Sequence, residues 1–323
     1  MIDVTKEVLE AEERIRKHIV ETPLIASSFL GSKKNCRVFL KLENLQRTFS
    51  FKFRGAANKI LSLDQEVLSR GVVTASSGNH GAAFAALVGQ RNLRGVLFLP
   101  KSASETKVDT LRGFNVELRF HGEDCLETEI FARRYASENG LAYIPPYNDP
   151  KTIGGQGTIG IELDRQMKEC DVVYVPVGGG GLISGLAGYL KSVRPLVHII
   201  GCQPENSAVM YESIKAGKIL SIPSKPTLSD GTAGGIELGS VTFDFCRRYV
   251  DDFILVNEEE IKNAVKLMID KHSLLIEGAA ALSVASFLKD RSDLTGNTVA
   301  LIITGSKISL PDLQKILSFG KRT

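Results

Sequence analysis

The sequence predicts an α/β protein in which open, twisted and mostly parallel sheets are covered by helices. Short apolar runs alternate with helix-compatible segments between residues 71 and 145, and the alternation resumes between residues 171 and 304. An apolar run at residues 172–177 also leads into four glycines and then into the start of a helix. Such alternation is typical of parallel sheets, because the connection between two parallel strands needs a long crossover that a helix fills.

The chain before residue 71 predicts a helix, a strand and a second helix. Residues 5–19 carry apolar side chains on one side with charges between them, which predicts an amphipathic helix. Pro23 follows and favours a break in the chain direction. Residues 37–43 alternate in polarity as a strand does, and residues 54–68 return to a helical pattern.

The later elements follow from the same periodicities. The predicted strands are residues 71–75, 95–100, 115–118, 142–145, 171–177, 198–203, 253–256 and 298–304. The predicted helices are residues 81–87, 105–112, 126–138, 258–271 and 279–288. Residues 145–150 contain three prolines and predict a rigid turn, where we expect the chain to pass from one domain to another.

Composition and charge favour a cytoplasmic globular enzyme or binding protein. The 323 residues carry a net charge of +3 and no basic run interleaved with aromatic residues, so we expect no nucleic-acid partner. No apolar run reaches the length of a membrane span, and the N-terminal residues include acids where a signal peptide carries basic residues.

The cysteines are scattered, with no CxxC pair, at Cys36, Cys125, Cys170, Cys202 and Cys246. That pattern fits a reducing compartment, and we expect no appended regulatory domain after the last strand.

Lys52 stands between two phenylalanines in residues 50–55, which read SFKFRG. Flanking aromatic rings can exclude water from an amine, which lowers its pKa and makes it a nucleophile that can form a Schiff base with an aldehyde. Taken alone, the segment fits an ordinary surface lysine better, with its stem packed and its amine in water.

The four glycines after the strand at residues 172–177 predict a phosphate site. They are Gly178, Gly179, Gly180 and Gly181. Backbone N–H groups can converge on one anion there, next to the positive end of a helix. A dinucleotide fingerprint fails, because Ile183 or Ser184 stands where its last glycine belongs. A purely structural glycine turn stays open.

A second polar loop, residues 74–81, follows another predicted strand and reads TASSGNHG. Two hydroxyls, an amide and a helix N-terminus make a donor-rich cradle that suits a carboxylate or a ring oxygen. The alternative is an ordinary helix cap with a turn glycine. Thr304 places a hydroxyl at the end of the last predicted strand, which by itself indicates only where the strand ends. The histidines of the sequence do not have the spacing of metal ligands.

A lysine nucleophile, a phosphate cradle and a carboxylate cradle together indicate pyridoxal phosphate. Residues 50–56, 76–81 and 175–181 resemble the threonine dehydratase/serine racemase family of fold-type II pyridoxal phosphate enzymes, in that family's order and spacing. Residues 154–160 and 276–279 extend the resemblance to essentially the whole chain. It implies the tryptophan synthase β-like fold, with a large cofactor-binding domain (residues 1–66 and 148–323), a small mobile domain (residues 67–147) and a homodimer.

The resemblance also implies the roles of individual residues. Toward the cofactor, Lys52 would form the Schiff base, Phe51 would pack beside the ring, and Asn79 would hydrogen-bond the 3-hydroxyl. The phosphate would be held by Gly178, Gly179, Gly180 and Gly181. Thr304 would meet the pyridine nitrogen, and Glu277 would lie near the ring. Toward the substrate, the carboxylate would be bound by Ser76, Ser77, Gly78 and the amides near His80. Gly231 would lie near the substrate. Ser77 matches the catalytic serine of the racemases.

Two departures from the family pattern affect the prediction. The last strand ends in Thr304-Gly305-Ser306-Lys307, where the family commonly has a hydroxyl or thiol residue, two glycines and an asparagine. Racemase-like members hold a divalent cation with two acids, and Gln203 and Val209 stand at those positions here. An amide and an alkyl group are poor ligands for a hard cation, so we expect no metal site.

The resemblance implies a dehydratase that converts a β-hydroxy amino acid such as L-threonine or L-serine to a 2-oxo acid and ammonia by α,β-elimination. The freed amine of Lys52 would remove the α-proton, and the cofactor phosphate would protonate the leaving hydroxide. Amino acid racemisation is the alternative, and a non-catalytic protein that binds pyridoxal phosphate for regulation comes third. The missing cation ligands favour elimination.

Overall fold

The computed structural model describes residues 2–318, and within them the chain forms two sheets covered by helices. The strands are β1 (Leu24–Ala26), β2 (Arg37–Lys41), β3 (Val72–Ala75), β4 (Gly95–Leu99), β5 (Glu117–Phe120), β6 (Ala142–Tyr143), β7 (Val172–Pro176), β8 (His198–Pro204), β9 (Asp252–Val256) and β10 (Thr298–Ile302). The six-stranded sheet has the order β1-β2-β10-β7-β8-β9, and the four-stranded sheet has the order β5-β4-β3-β6. All neighbouring pairs are parallel except β1 and β2. The predicted fold class, two mostly parallel sheets with helices outside, is confirmed.

The helices of the described residues cover both sheets. They are α1 (Val4–Ile15), α2 (Ser28–Lys34), α3 (Lys52–Leu61), α4 (Gln65–Arg70), α5 (Asn79–Gln90), α6 (Glu105–Arg112), α7 (Cys125–Glu138), α8 (Pro150–Gln166), α9 (Gly181–Val193), α10 (Val209–Ala216), α11 (Val241–Tyr249), α12 (Glu258–His272), α13 (Gly278–Lys289) and α14 (Leu310–Ser318). None of the described helices is long and apolar enough to cross a membrane.

Three of the predicted boundaries are wrong. The helix predicted at residues 54–68 is two helices: α3 ends at Leu61, and Asp64, which is extended, precedes the first residue of α4. The helix predicted at residues 5–19 ends at Ile15, although Ile19 is buried as its periodicity indicated. The strand predicted at residues 115–118 lies two residues later, where β5 pairs with β4.

Helix α8 is absent from the sequence-based prediction because four glycines interrupt its apolar pattern. A Cβ on Gly155 would lie 2.6 Å from the carbonyl oxygen of Arg54, and one on Gly154 would lie 2.6 Å from that of Glu7. A Cβ on Gly157 would lie 2.9 Å from Gly185. These glycines let the backbones of α1, α3 and α9 approach α8 closely, and that gain offsets the low helix propensity of glycine.

Helices pack on both faces of each sheet. One apolar cluster joins α1, α8, α9 and α11 to β7, β8 and β10, and another joins α12 and α13 to the opposite face. Helices α3, α5 and α6 cover one face of the smaller sheet, and α7 covers the other. Because the strands run parallel, the loops after β3, β7 and β10 leave the sheets at their carboxyl ends, where ligands bind in open α/β folds.

Candidate active site

Lys52 is the first residue of α3, and backbone contacts fix its position. The backbone N–H of Phe51 donates to the carbonyl of Thr304 at 3.1 Å, and Ser50 forms an isolated antiparallel bridge with Gly305. The segment that precedes α3 is thereby attached to the chain that follows β10. The Nζ atom donates to the carbonyl oxygen of Pro146 at 2.9 Å and lies 5.3 Å from the centroid of the Phe51 ring.

Burial increases the neutral fraction of the Lys52 amine. Burial lowers the pKa of Lys52 to about 8, and the carboxylates of Glu129 and Glu277 oppose that shift only in part. An amine with a pKa near the working pH exists partly as the free base, which is the nucleophilic and proton-accepting form. Lys52 is therefore suited to covalent or acid–base chemistry, as the flanking phenylalanines predicted.

Asn79, Glu277 and Thr304 form a polar group beside the lysine. The Asn79 Nδ2 atom donates to both carboxylate oxygens of Glu277, at 2.9 and 3.0 Å. Glu277 also accepts from the backbone N–H of Lys307 at 3.1 Å, and burial raises the pKa of Glu277 to about 7. The Oδ1 atom of Asn79 and the Oγ1 atom of Thr304 are buried without a partner among the described residues. Both are free to bond a ligand.

The four glycines after β7 form a turn that side chains would block. Gly180 has φ +84°, a conformation that glycine adopts without strain. A Cβ on Gly179 would lie 2.6 Å from the ring of Tyr147, and one on Gly181 would lie 2.9 Å from the Cβ of the same tyrosine. Helix α9 begins at Gly181, so its N-terminus and the bare backbone of the turn can hold an anion.

The loop after β3 lies at the N-terminus of α5. Ser76, Ser77, Gly78 and Asn79 are half-buried, and Ser76 Oγ accepts from the backbone N–H of Gly78 at 3.2 Å. The His80 ring points the other way, because its Nε2 donates to the carbonyl of Ile144 at 3.0 Å. Burial, with a smaller effect of Lys52, lowers the pKa of His80 to about 3, so its ring is neutral. The Nδ1 atom of the ring is buried without a partner among the described residues.

Gly231 lies in a short 3₁₀ helix, Asp230–Thr232, that approaches Glu277. A Cβ on Gly231 would lie 3.3 Å from that of Ala279 and 3.9 Å from Glu277 Oε1. A Cβ on Gly178 would lie 3.0 Å from the backbone of Thr232, at the end of the same 3₁₀ helix. The fold therefore brings Gly231 next to Glu277, and Gly178 next to the end of the 3₁₀ helix that carries Gly231.

Two further residues of this cleft were missed by the sequence reasoning. Tyr147 follows Pro146 and packs on the glycine turn, while its hydroxyl accepts from the backbone N–H of Glu237 at 2.9 Å. Glu129, on α7, is half-buried and interacts electrostatically with Lys52. Tyr147 lies in the predicted proline-rich turn at residues 145–150, and that position was a signal that it could line the site. Glu129 carries no signal in sequence, since α7 has four other glutamate or aspartate side chains in or next to it.

The family model for pyridoxal-phosphate dependent enzymes matches residues 15–305. The chain belongs to this family. L-threonine ammonia-lyase of Thermotoga maritima is 37% identical over 315 residues, which are 98% of this chain and 78% of that protein. L-threonine dehydratase catabolic TdcB of Escherichia coli K12 is 36% identical, over 97% of this chain and 95% of its own. The solved structure of maize serine racemase superposes with a TM-score of 0.90 at 32% identity, over 97% of this chain and 96% of that one.

The residues present fit the cofactor of this family. Its aldehyde needs an amine, its phosphate an anion cradle, and its pyridine nitrogen and phenolic hydroxyl one polar partner each. Lys52 supplies the amine, and the glycine turn can supply the cradle. Thr304 and Asn79 hold the buried and unpartnered oxygen atoms that the two remaining groups require.

Gln203 and Val209, which stand at the positions of the cation ligands in racemase-like relatives, both make contacts within the fold. The Gln203 side chain donates to the carbonyl of Val177 at 3.2 Å and accepts from the backbone N–H of Tyr211 at 2.8 Å. Val209 is buried in the apolar cluster next to α9. The amide of Gln203 thus ties the strand before the glycine turn to α10, with both of its polar atoms bonded.

Proposed function

We propose that this protein is a pyridoxal-phosphate-dependent ammonia-lyase that converts a β-hydroxy amino acid, such as L-threonine or L-serine, to a 2-oxo acid and ammonia by α,β-elimination. The observation that carries the proposal is the half-buried Lys52, whose amine has its pKa lowered to about 8 and donates to the carbonyl of Pro146. The next residue, Tyr147, packs on the glycine turn at the N-terminus of α9. The ammonia-lyase and dehydratase names of relatives at 36–37% identity support this reaction class.

The proposed roles follow from the chemistry of each group. When bound, pyridoxal phosphate withdraws electrons from the α-carbon of an amino acid that is attached to it. Lys52 then takes the α-proton on Nζ, which its lowered pKa allows near neutral pH. Ser76, Ser77 and the N–H groups at the start of α5 hold the substrate carboxylate, where the helix dipole favours an anion.

Cofactor binding falls to the surrounding residues. Gly178, Gly179, Gly180 and Gly181 hold the phosphate, and Phe51 packs beside the ring. Asn79 Oδ1 accepts from the ring hydroxyl, since its Nδ2 is engaged by Glu277. Thr304 Oγ1 bonds the pyridine nitrogen; as a hydroxyl it leaves that nitrogen largely unprotonated, which favours rapid loss of a β-substituent. Gly231 lies close to Glu277 and lets the substrate approach the ring.

Steady-state rates of 2-oxo acid formation across L-threonine, L-serine and 3-hydroxyaspartate test the proposal. We expect turnover of at least one of these, and loss of steady turnover in Lys52→Ala. Lys218→Ala, which changes an exposed lysine of the turn after α10, is the control and should retain wild-type rates. Wild-type rates in Lys52→Ala would refute the proposal.

Serine racemisation is the second candidate, and Ser77 is the observation that favours it. Inversion needs an acid–base group on the face of the α-carbon opposite Lys52, and the Ser77 side chain is half-buried in the loop before α5. The superposition on maize serine racemase gives further support. Chiral analysis after incubation with L-serine separates the two reactions, because D-serine forming faster than pyruvate would rank racemisation first.

We also propose that residues 67–147 form a small domain that moves relative to residues 1–66 and 148–323, and that the protein is a cytoplasmic homodimer. The separate four-stranded sheet and its own apolar clusters support the domain division. Five unpaired cysteines support a reducing compartment. Sedimentation equilibrium tests the dimer, and small-angle scattering with and without substrate tests the movement.

A further inference from the structure

We propose that Lys107 and Arg133 position the segment of residues 229–237, here called the strap, through two ion pairs that join it to the small domain. The proposal rests on the ammonia-lyase function and the domain division above, and it adds two positioning residues to them. The ion pairs favour the closed cleft in which the substrate binds, so they affect the KM of the reaction and leave its kcat nearly unchanged.

One end of the strap borders the candidate cofactor site. Its short 3₁₀ helix, Asp230–Thr232, carries Gly231, where a Cβ would lie 3.9 Å from Glu277 Oε1. A Cβ on Gly178, the first glycine of the turn, would lie 3.0 Å from the backbone of Thr232. A shift of the strap therefore changes the space beside both the glycine turn and Glu277.

Both ion pairs run from a helix of the small domain to the strap. Lys107 Nζ, on α6, donates to Asp230 Oδ2 at 2.6 Å. Arg133 Nη2, on α7, lies 3.1 Å from each carboxylate oxygen of Glu237. Helices α6 and α7 cover opposite faces of the smaller sheet, so both layers of the small domain hold the strap. A movement that takes the small domain away from the strap must break both pairs.

The strap is also held by residues outside the small domain. Glu237 Oε2 accepts from Asn148 Nδ2 at 2.7 Å, and the backbone N–H of Gly234 donates to Ser207 Oγ at 3.2 Å. Its only regular structure is the 3₁₀ helix, and a Cβ on Gly234, which has φ +120°, would meet nothing within 4 Å. The position of the strap therefore depends on its contacts with the two domains that it joins.

The exposure of the charged groups determines how much the pairs contribute. The side chains of Lys107 and Asp230 are 42% and 53% exposed, and those of Arg133 and Glu237 are 46% and 32% exposed. Ion pairs of this kind change an equilibrium constant by up to about fivefold. That factor is sufficient to act on a cleft whose open and closed forms differ little in free energy, because the apparent affinity falls in proportion to the closed fraction.

Steady-state kinetics of the holoenzyme at two salt concentrations test the pair of Lys107 with Asp230. In about 20 mM salt, Lys107→Ala should raise the KM for L-threonine or L-serine about three- to fivefold and keep kcat within about twofold of wild type. In about 1 M salt its KM should match that of wild type, because the screening length is then only about 3 Å. Arg112→Ala is the matched control, since Arg112 pairs with Asp109 at 2.7 Å within α6. Its KM should equal that of wild type at both concentrations.

Exchange of the two charges distinguishes an ion pair from a packing contact. Lys107→Asp alone places two carboxylates together and should raise KM more than Lys107→Ala does, because like charges repel. Addition of Asp230→Lys to that variant restores opposite charges at the two positions. The double variant should have a KM within about twofold of wild type, a rescue that a packing role does not provide.

Hydrogen exchange of the holoenzyme without substrate tests the position of the strap and needs no turnover. The backbone amides of residues 229–237 should exchange about three- to fivefold faster in Lys107→Ala and in Arg133→Ala than in wild type. Exchange in Arg112→Ala should equal that of wild type.

Three results would each overturn the proposal: an unchanged KM in Lys107→Ala, unchanged exchange of the strap in that variant, and a rise in KM that persists in about 1 M salt. A wild-type enzyme that turns over none of L-threonine, L-serine and 3-hydroxyaspartate would refute the ammonia-lyase function instead. In that protein, faster exchange of the strap in Lys107→Ala and Arg133→Ala would still support the two ion pairs, and unchanged exchange would refute them.

Discussion

Asn79 and Glu277 are 198 residues apart in the chain, and the amide of Asn79 donates to both carboxylate oxygens of Glu277. This contact engages the nitrogen of the amide and leaves its oxygen without a partner among the described residues. It also joins the start of α5, the helix after β3, to the start of α13, the helix before β10, at the site where we propose that the cofactor binds. The orientation of Asn79 is thus decided by a residue outside its own loop.

Replacement of Glu277 by glutamine should change how stability depends on pH. The folded pKa of about 7 exceeds the ordinary value of 4.5 because of burial, so the folded state keeps a proton that the unfolded state releases. That contribution is complete below about pH 4.5 and is lost as pH rises through about 7. Glu277→Gln does not titrate, so urea denaturation of the apoprotein should show it gaining about 1–3 kcal/mol on wild type between pH 5 and pH 8. A pH-independent difference would contradict this.

Thr304→Val should affect the apoprotein and cofactor binding in opposite directions. The substitution keeps the shape of the side chain but removes a buried hydroxyl that is unpartnered among the described residues. Burial of an unbonded polar group costs about 1–3 kcal/mol, so the apoprotein should be as stable as wild type or more stable. Cofactor affinity, measured by absorbance titration, should fall about fivefold with the lost hydrogen bond, which is worth about 1 kcal/mol. An unchanged cofactor affinity in Thr304→Val would show that the Thr304 hydroxyl does not bond the cofactor.

Gly180→Ala should weaken cofactor binding more than its backbone strain explains. A Cβ at this position would lie 2.9 Å from Met210 Cε and 3.0 Å from Thr242 Cβ, in addition to the strain of φ +84°. Gly217→Ala is the control, because Gly217 has φ +72° and nothing within 4 Å of a Cβ. Both variants should lose about 1 kcal/mol of stability to strain, but only Gly180→Ala should raise the Kd of the cofactor, by about tenfold or more. Equal Kd values in the two variants would count against a phosphate site here.

Arg54→Met should destabilise the fold strongly. The Arg54 guanidinium is fully buried and makes two bonds to each of two carboxylates, Glu43 and Glu162, at 2.7–2.9 Å. Removal of one partner from such a network leaves buried charge uncompensated, which costs about 3–5 kcal/mol. Arg37→Met, whose side chain is 59% exposed and pairs with Glu169, should cost less than about 1 kcal/mol. Urea denaturation measures both, and similar losses would contradict the role of the buried network.

The sequence predicted those parts of the candidate site whose functional groups lie next to one another along the chain. The lysine between two phenylalanines, the glycine turn and the polar loop at residues 74–81 each place their groups within one loop, so their types and spacing are informative. The contact of Asn79 with Glu277 and the approach of Glu129 to Lys52 join segments that only the packing of the two sheets brings together. No local pattern could reveal them.

The fold shows the same division. The alternation of strands and helices predicted both sheets, because burial on two faces gives apolar runs that are visible in sequence. Helix α8 was invisible, since its glycines are selected by the close approach of α1, α3 and α9. The break between α3 and α4 was missed because the apolar period continues across it.

The proposed function requires the amine of Lys52 to form the covalent link to the cofactor aldehyde. Borohydride reduction of the holoenzyme makes the carbon–nitrogen link permanent, and peptide mapping by mass spectrometry then locates the labelled lysine. We predict the label on Lys52 alone, in the peptide that contains residues 50–54. A label on any other lysine, or no label at all, would refute the assignment of Lys52 as the cofactor-binding lysine.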